Sequence, residues 1–507
     1  MRLFALGLAL ALLSLHAASA APQLSLTPCK IGPETVRCGR LDVPEDWRRP
    51  AGRRIALKVV VLPQIGAGPV QAPMIWLDGG PGVPGTISAP LYTTDLRFHR
   101  ERRAVVLFDQ RGSGQSNPLH CPSTEHSPAL AEMWRAGDVV ACRRTLAARA
   151  DLSQYSTEAS ARDLDALRQA LGADKVDLAA LSYGTWLAQA YMSLYPERVR
   201  SAALIGTVPI GEKLPLHHAA NGERALRLLF ADCRADPRCN TAFPELASAW
   251  RRVQDRLTRH ALVIQTPAGR QSVRQGPFNE LVRSELNAVD STRRLPDLIS
   301  RTAREDYGPL VKLVSAHGPE PEADGLYLSI TCPEATRRIR PDEIAPATRD
   351  ASFGRYRIDR QIAACRLWEP ARPSAVVSRP LKSSIPVLLL AGGRDATTPP
   401  AWARQVAAGL PQSRVVIIEA MGHLPTGLDH LECLDRIADA FFAKGSAQGL
   451  DTSCVAHARP SILQDHSAAM PLAAGGFLRL HEIKIWPPRQ VIGNLKFFAT
   501  ISPLLRR

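Results

Sequence analysis

Residues 175–195 have the sequence KVDLAALSYGTWLAQAYMSLY, in which an apolar run passes directly into Ser-Tyr-Gly and then into a helical pattern. The apolar run is typical of a buried strand, and Pro196 ends the helix that follows. A tight turn between such a strand and helix pushes its central residue, Ser182, off the end of the strand. Taken alone, the motif is equally compatible with a serine that only shapes the turn.

Other apolar runs alternate with helical patterns on both sides of this turn. Strands that alternate with helices at this spacing predict βαβ units and a mainly parallel sheet. The predicted strands cover residues 41–43, 54–62, 74–77, 104–108, 175–181, 199–205, 385–390 and 414–418, and the predicted helices cover residues 156–171, 185–195, 401–410 and 431–442.

The alternation is interrupted once, by residues 209–379, which have helical patterns, many arginines and four cysteines. We therefore predict a core in two parts, residues 21–208 and 380–457, with a mainly helical cap between them. The cap would lie over the carboxyl ends of the strands, where parallel sheets bind ligands. Residues 458–507 have no cysteine and no sustained hydrophobic period. We therefore predict that they form an appended C-terminal tail, and disorder is one interpretation of this tail.

The first twenty residues predict a signal peptide. Arg2 provides a positive start, residues 3–15 are apolar, and Ala18-Ser19-Ala20 is typical of a cleavage site. A retained N-terminal anchor is the alternative, but the apolar run is short for a membrane span. We expect an exported protein, periplasmic or secreted, without stable insertion into a membrane.

Cysteine usage supports export, because an even number of cysteines in an exported chain indicates disulfides. The count leaves every pairing open, and the simplest interpretation joins neighbours along the chain. Those pairs are Cys29 with Cys38, Cys121 with Cys142, Cys233 with Cys239, Cys332 with Cys365, and Cys433 with Cys454. No Cys-x-x-Cys motif occurs and the histidines are scattered, so we expect no metal.

The formal net charge of +15 raises the hypothesis of a nucleic-acid partner. The basic residues are mostly arginines spread along the chain, without a dense basic run or an aromatic-basic alternation. We therefore expect a solvated, arginine-rich surface and no nucleic-acid partner. Weak attraction to an anionic envelope surface follows from the same charge.

Two strand ends downstream of Ser182 carry the partners that a nucleophilic serine needs. The strand at 385–390 runs into Asp395, and the strand at 414–418 runs into His423. Carboxyl ends of parallel strands lie at one edge of the sheet, so the three side chains can converge. We predict that His423 is the general base for the Ser182 proton and that Asp395 orients the imidazole.

Each partner also has a simpler interpretation. Asp395 could cap the helix that follows it, and His423 could be a surface-loop histidine. His430 is a rival base, although it lies further past the strand end.

Backbone amides are expected to form an oxyanion hole. One belongs to Tyr183, directly after the serine, and the other to Gly80, in the loop after the strand at 74–77. Glycine lets a backbone approach an oxyanion without a Cβ in the way. The alternative for this loop is a plain Gly-Pro turn.

At this point the chain resembles the proline iminopeptidases, through Gly79-Gly-Pro-Gly82, Asp109-Gln-Arg-Gly-Ser-Gly-Gln-Ser116 and Ser182-Tyr-Gly184. The leader, the cysteines and Cys365-Arg-Leu-Trp368 make it more similar to exported tripeptidyl-aminopeptidase-like relatives. The resemblance covers roughly residues 29–455. It implies an α/β-hydrolase fold, a serine acyl-enzyme mechanism without a cofactor, and structural roles for the aspartate and arginine of the second motif.

The family also implies a substrate. Its members release residues or short peptides from a free N-terminus, with cap carboxylates that bind the ammonium group. Glu334 and Glu369 are the candidate carboxylates here, and solvated acidic side chains are their alternative interpretation. Trp368, directly before Glu369, is the third residue expected to bind substrate. The chain departs from the family at Asp78, where a histidine is usual, and at Ala180, where a glycine is common.

These observations favour an aminopeptidase. A carboxylesterase or amidase acting on small acyl compounds is the alternative, because the same triad cleaves esters. A non-catalytic binding protein on this scaffold is disfavoured by the intact triad. Dehalogenase or epoxide-hydrolase chemistry is disfavoured, because those relatives have aspartate at the position of Ser182.

Overall fold

The computed structural model describes residues 23–125, 130–267, 269–316, 322–368 and 373–459. The predicted signal peptide and almost all of the predicted tail therefore lie outside the described residues.

A nine-stranded sheet runs through the core, with a separate hairpin formed by β8 and β9. The strands are β1 (Leu24–Ile31), β2 (Glu34–Pro44), β3 (Arg54–Leu62), β4 (Met74–Leu77), β5 (Val105–Phe108), β6 (Val176–Leu181), β7 (Val199–Ile205), β8 (Leu262–Thr266), β9 (Gly269–Val273), β10 (Val387–Gly392) and β11 (Ser413–Ile418). The order across the sheet is β1-β2-β3-β5-β4-β6-β7-β10-β11. β1, β2, β3 and β5 pair antiparallel, and all pairs from β5 to β11 are parallel. The predicted mainly parallel sheet is confirmed.

Helices follow the strands, as the alternating pattern predicts. They are α1 (Pro122–Glu125), α2 (Ala136–Ala147), α3 (Thr157–Ala170), α4 (Tyr183–Leu194), α5 (His218–Ala235), α6 (Pro237–Ala242), α7 (Leu246–Arg259), α8 (Gln275–Glu285), α9 (Val289–Thr292), α10 (Leu295–Ala303), α11 (Gly308–Ala316), α12 (Asp324–Glu334), α13 (Pro341–Thr348), α14 (Tyr356–Leu367), α15 (Pro400–Ala407) and α16 (Glu432–Lys444). Ser156 caps α3 by accepting a hydrogen bond from the Ala159 amide. None of the helices in the described ranges has the length and apolar character that a membrane crossing needs.

The chain between β7 and β10, here called the inserted segment, contains helices α5–α14 and the β8–β9 hairpin. The segment is mainly helical, as its sequence predicts, but the hairpin was not expected. Each hairpin strand has only five residues, and β9 has three consecutive polar residues, Arg270, Gln271 and Ser272. Such short strands give a weak periodic pattern, and the neighbouring helical patterns obscure it.

The central strands are buried on both faces, as parallel strands between helical layers must be. Leu389 of β10 packs in a cluster with Leu187 of α4, whereas its neighbour Leu388 packs in another cluster with Phe441 of α16. All three leucines are fully buried. Burial of each such side chain stabilises the fold by about 2 kcal/mol, and this packing makes the strand ends a rigid base for the loops that follow.

Five disulfides join the ten cysteines in the neighbour pairing that the sequence favours. They are Cys29–Cys38, Cys121–Cys142, Cys233–Cys239, Cys332–Cys365 and Cys433–Cys454. The prediction is confirmed at each bridge.

Candidate active site

Ser182 stands at the turn between β6 and α4. Its backbone has φ +54° and ψ −123°, a conformation that costs a non-glycine residue about 1–3 kcal/mol. The Ser182 amide donates to the Ile205 carbonyl oxygen of β7 at 3.0 Å. The side chain is partly exposed, and its hydroxyl has no hydrogen-bond partner within the described part of the chain. A strained turn thus presents a hydroxyl that a substrate can approach.

Two glycines let neighbouring backbones approach this turn. A Cβ at Gly184 would lie 2.1 Å from the Leu77 carbonyl oxygen, and a Cβ at Gly79 would lie 3.1 Å from the Ser182 Cβ. Larger residues at these positions would push the end of β4 away from the serine. This close approach explains the Ser-x-Gly spacing.

Asp395 and His423 form a direct hydrogen bond, with 2.9 Å between Asp395 Oδ2 and His423 Nδ1. The other carboxylate oxygen accepts from the amides of Thr397 and Thr398, at 2.7 Å and 2.6 Å. Burial alone would raise the pKa of Asp395, but the charge of His423 and the hydrogen bonds from His423 and Thr398 lower it below its usual value. The carboxylate is therefore ionised and fixed behind the imidazole.

The simpler interpretations of these two residues are wrong. Helix α15 begins at Pro400 with Pro399 as its N-cap, so Asp395 shapes the preceding turn and does not cap the helix. His423 is buried, not a surface-loop side chain. His430, the rival base, is mostly exposed and pairs with Glu432.

Thr398 is part of this arrangement and was missed by sequence reasoning. Its hydroxyl lies 2.6 Å from Asp395 Oδ2 and 3.0 Å from His423 Nδ1. Its position three residues after Asp395 is a weak signal, because threonine is common in turns.

The His423 ring and the backbone of Ser182 both approach the end of β7. A Cβ at Gly206 would lie 3.0 Å from His423 Cε1, and the preceding residue, Ile205, binds the Ser182 amide. Among the described residues no hydrogen bond joins the Ser182 hydroxyl to His423. Such bonds are often long until a substrate is bound.

The loop after β4 lies beside the serine. The Gly79 amide donates to the Asp78 carboxylate at 2.8 Å, whereas the Gly80 amide donates to no other group of the described chain. Gly80 has φ +103°, which favours glycine. Tyr183 is the first residue of α4, so its amide has no acceptor within the helix. Both amides predicted for the oxyanion hole are thus available to a ligand.

The alpha/beta hydrolase fold family matches residues 73–427 of the chain. The chain is an α/β-hydrolase. It is similar to tripeptidyl aminopeptidase of Streptomyces coelicolor, with 25% identity over 464 residues and 84% of each chain covered. It is also similar to serine protease Hip1 of Mycobacterium tuberculosis, with 28% identity over 435 residues, or 74% of this chain and 80% of Hip1. The structure of proline iminopeptidase from Mycobacterium smegmatis aligns with 80% of this chain and 98% of its own, at 16% identity and a TM-score of 0.38.

The fold class, the family resemblance and the enzyme class of serine hydrolase are confirmed by these matches. Within the described ranges of this α/β-hydrolase, no group of three or more His, Cys, Asp or Glu side chains could hold a metal ion.

Asp78 braces the loop after β4 in this α/β-hydrolase. Its carboxylate accepts from the Trp76 indole at 2.9 Å and from the Ser88 hydroxyl at 3.0 Å, in addition to the Gly79 amide. Burial raises the pKa of Asp78, against the effect of these donors. The departure from the usual histidine therefore alters how the loop is held and removes no predicted catalytic group.

The second family motif also has the structural role that the resemblance implies. Asp109 accepts from the amide and the hydroxyl of Thr86, at 3.0 Å and 2.7 Å. Arg111 is fully buried and pairs with Asp163 through two hydrogen bonds of 2.7 Å and 2.6 Å. The motif ties the end of β5 to α3.

Glu334, at the end of α12, is linked through Thr157 to the Tyr183 side chain and faces away from solvent. Only 1% of it is exposed, and its oxygens accept from the amide and the hydroxyl of Thr157, at 2.8 Å and 2.5 Å. The same hydroxyl lies 2.9 Å from the Tyr183 Oη. Burial raises the pKa of Glu334 to about 7. The interpretation of Glu334 as a solvated surface residue is wrong.

The two other residues predicted for substrate binding are Trp368 and Glu369. Trp368 is 1% exposed, and its indole N–H donates to the Ser329 hydroxyl at 3.1 Å, which favours a packing role. Glu369 lies outside the described residues.

Proposed function

We propose that this α/β-hydrolase is an exported serine aminopeptidase, periplasmic or secreted, that releases N-terminal residues or short peptides. The observation that carries the proposal is the Asp395–His423 hydrogen bond, at the sheet edge where Ser182 is held in a strained turn. Similarity to a tripeptidyl aminopeptidase and a serine protease supports a peptide substrate. The five disulfides support export, because such bridges form in oxidising compartments.

The proposed reaction uses the triad in two steps. Because His423 Nδ1 is bound to Asp395, Nε2 is the nitrogen that takes the Ser182 proton while the hydroxyl oxygen attacks the scissile carbonyl. The amides of Gly80 and Tyr183 would stabilise the oxyanion. His423 then gives its proton to the leaving amine, and water hydrolyses the acyl-enzyme by the same route.

Glu334 is the proposed anchor for the substrate ammonium group. Within the described chain its carboxylate accepts hydrogen bonds from Thr157, a neutral residue, and forms no salt bridge, while the Arg338 guanidinium binds the Glu334 backbone carbonyl. A bound ammonium group would keep the carboxylate ionised and so favour substrates with a free N-terminus. Trp368, which follows α14, would then act by packing α14 against α12, and Glu369 remains a proposed second carboxylate.

Replacing the nucleophile tests the mechanism. Ser182→Ala should fold as the wild type does, lose labelling by a fluorophosphonate and lose at least about 10³-fold in kcat/KM. Ser193→Ala, at an exposed position of α4, is the matched control and should keep both properties. Full labelling of Ser182→Ala would rule out Ser182 as the nucleophile.

A substrate panel tests the activity. Aminoacyl, dipeptidyl and tripeptidyl amides with free and blocked N-termini would be compared with short-chain esters. Turnover restricted to the free peptides supports the aminopeptidase. Ester turnover that ignores an N-terminal amine supports the carboxylesterase or amidase alternative, and the absence of both turnover and labelling leaves a binding protein.

A further inference from the structure

Helix α5 of the inserted segment holds the loop that carries Asp395. Three of its side chains, at positions that lie on one face of the helix, contact residues 393–397. Asn221 Nδ2 donates to the Thr397 carbonyl oxygen at 3.1 Å. Arg224 Nη1 donates to the Gly393 carbonyl oxygen at 2.6 Å, and Arg224 Nη2 donates to the Asp395 carbonyl oxygen at 2.5 Å. The Asp232 carboxylate accepts two hydrogen bonds of 2.8 Å from the Arg394 guanidinium.

The loop that carries Asp395 also packs against the loop that carries His423. A Cβ at Gly392 would lie 2.0 Å from the Gly422 carbonyl oxygen, and one at Gly393 would lie 2.6 Å from that of Glu419. The Gly393 amide also donates to the Ile418 carbonyl oxygen at 2.9 Å. The loop that carries Asp395 is therefore held by both the histidine loop and α5.

Arg224 is the α5 residue that binds Asp395 itself. Its two terminal nitrogens, Nη1 and Nη2, donate to the carbonyl oxygens of Gly393 and Asp395, the residues on either side of Arg394. Hydrogen bonds from a charged donor are stronger than hydrogen bonds between neutral groups. Its Nε is buried and has no partner within the described chain, so the side chain is committed to these two acceptors. Burial lowers the pKa of Arg224, and the nearby Asp395 carboxylate opposes this effect.

We infer that Arg224 is a positioning residue for catalysis, which fixes the backbone of the Asp395 loop so that the carboxylate faces His423. The inference rests on the proposed triad and extends it into the inserted segment. It means that α5 has a part in the chemistry although it does not touch the reacting atoms. Asn221 and Asp232 hold neighbouring residues of the loop, so they support Arg224 without replacing its contact to Asp395.

The test compares Arg224→Met and Arg224→Lys with Arg227→Met. Arg227 lies one turn away on α5 and is mostly exposed, and within the described chain its hydrogen bonds go to Glu223 and Asp350 of the inserted segment, so it controls for damage to the helix. The rates are divided by the number of sites that a fluorophosphonate titrates, which removes any loss of folded enzyme.

We expect Arg224→Met to lower kcat per titrated site by about 10- to 100-fold, because a displaced catalytic group costs rate far more than affinity. KM should stay near the wild-type value, and the acidic limb of the pH profile should move to lower pH, because Asp395 no longer stabilises the imidazolium. Arg224→Lys should be intermediate, since one ammonium group cannot hold two carbonyls in the same geometry. Arg227→Met should match the wild type.

A low-field proton resonance from the His423 Nδ1–H adds a readout that needs no substrate, and it should shift or vanish in Arg224→Met only. Wild-type kcat per titrated site, an unmoved acidic limb and an unchanged resonance would overturn the inference, even if Arg224→Met is less stable. If the wild type is not labelled at all, the proposed function fails instead, and the resonance still tests the role of Arg224.

Discussion

Glu334 shows at the scale of one residue how burial can make a carboxyl group sensitive to pH near neutrality. In the unfolded chain the pKa of the Glu334 carboxyl group is 4.5, whereas burial in the folded protein raises this pKa to about 7. Between these values the folded state binds more protons, so the free energy of unfolding falls as pH rises and levels off above about 7. Across this pH range, the titration of Glu334 lowers the free energy of unfolding by an amount on the order of 3 kcal/mol.

Glu334→Gln should remove this dependence. A neutral amide has no proton to lose, so the variant should lose less stability than the wild type between pH 5 and pH 8. Urea unfolding at the two pH values measures the difference, and Glu245→Gln, at a mostly exposed side chain, is the control. An equal loss of stability in Glu334→Gln and the wild type would show that Glu334 titrates normally.

The three candidate catalytic residues could be proposed from the sequence because Ser182 directly follows β6, and Asp395 and His423 lie in the loops after β10 and β11. Strand ends are recognisable from local apolar runs, and parallel strands bring their ends to one edge of the sheet. Thr398 and Arg224 could not be predicted. Their importance comes from contacts with Asp395, and for Arg224 the partner is 171 residues away in the chain.

At the scale of elements, α12 connects the two sides of the candidate site. Its start is bound to the loop after β4, through the Ala323 amide and the Gly82 carbonyl oxygen at 3.2 Å. Its last residue, Glu334, is linked through the Thr157 hydroxyl to the side chain of Tyr183, which follows Ser182. The Cys332–Cys365 disulfide joins this end of α12 to α14. The bridge therefore stabilises the end of α12 that carries Glu334.

Removing this disulfide should cost more stability than removing Cys233–Cys239. The sequence separations are 33 and 6 residues, so the longer loop gains more entropy when it opens. The chain-entropy relation gives costs of about 4 and about 2 kcal/mol. All four cysteines are buried, so paired alanine variants of the two bridges are well matched. Urea midpoints measure the costs, and the opposite order would contradict the prediction.

The pattern of elements was predictable where apolar periodicity is strong. The parallel strands and their helices begin and end within a few residues of the predicted positions. The β8–β9 hairpin was not predictable, because its stability comes from helices packed against Leu262 and Ile264 of β8 and Val273 of β9. Such packing depends on distant parts of the chain, and short strands carry little local signal of their own.

At the scale of the whole molecule, the sequence has 63 basic residues against 48 acidic ones. Many arginines form surface ion pairs, such as Arg340 with Asp342 and Arg355 with Asp359. Exposed pairs of this kind contribute only about 0–1 kcal/mol each, so they hold little of the fold together. These ion pairs leave an excess of positive charge on the protein. The excess charge attracts anionic surfaces over a distance that the ionic strength sets.

The full chain should therefore bind anionic surfaces in a manner that depends on salt. A positive side chain near an anionic bilayer contributes about 1 kcal/mol, and the screening length falls from about 30 Å at 0.01 M salt to about 3 Å at 1 M. We expect the protein to sediment with phosphatidylglycerol vesicles at low salt, to be released as salt is added, and to ignore phosphatidylcholine vesicles throughout. Binding that persists in high salt, or that occurs on the neutral vesicles, would show that a force other than net charge attaches the protein.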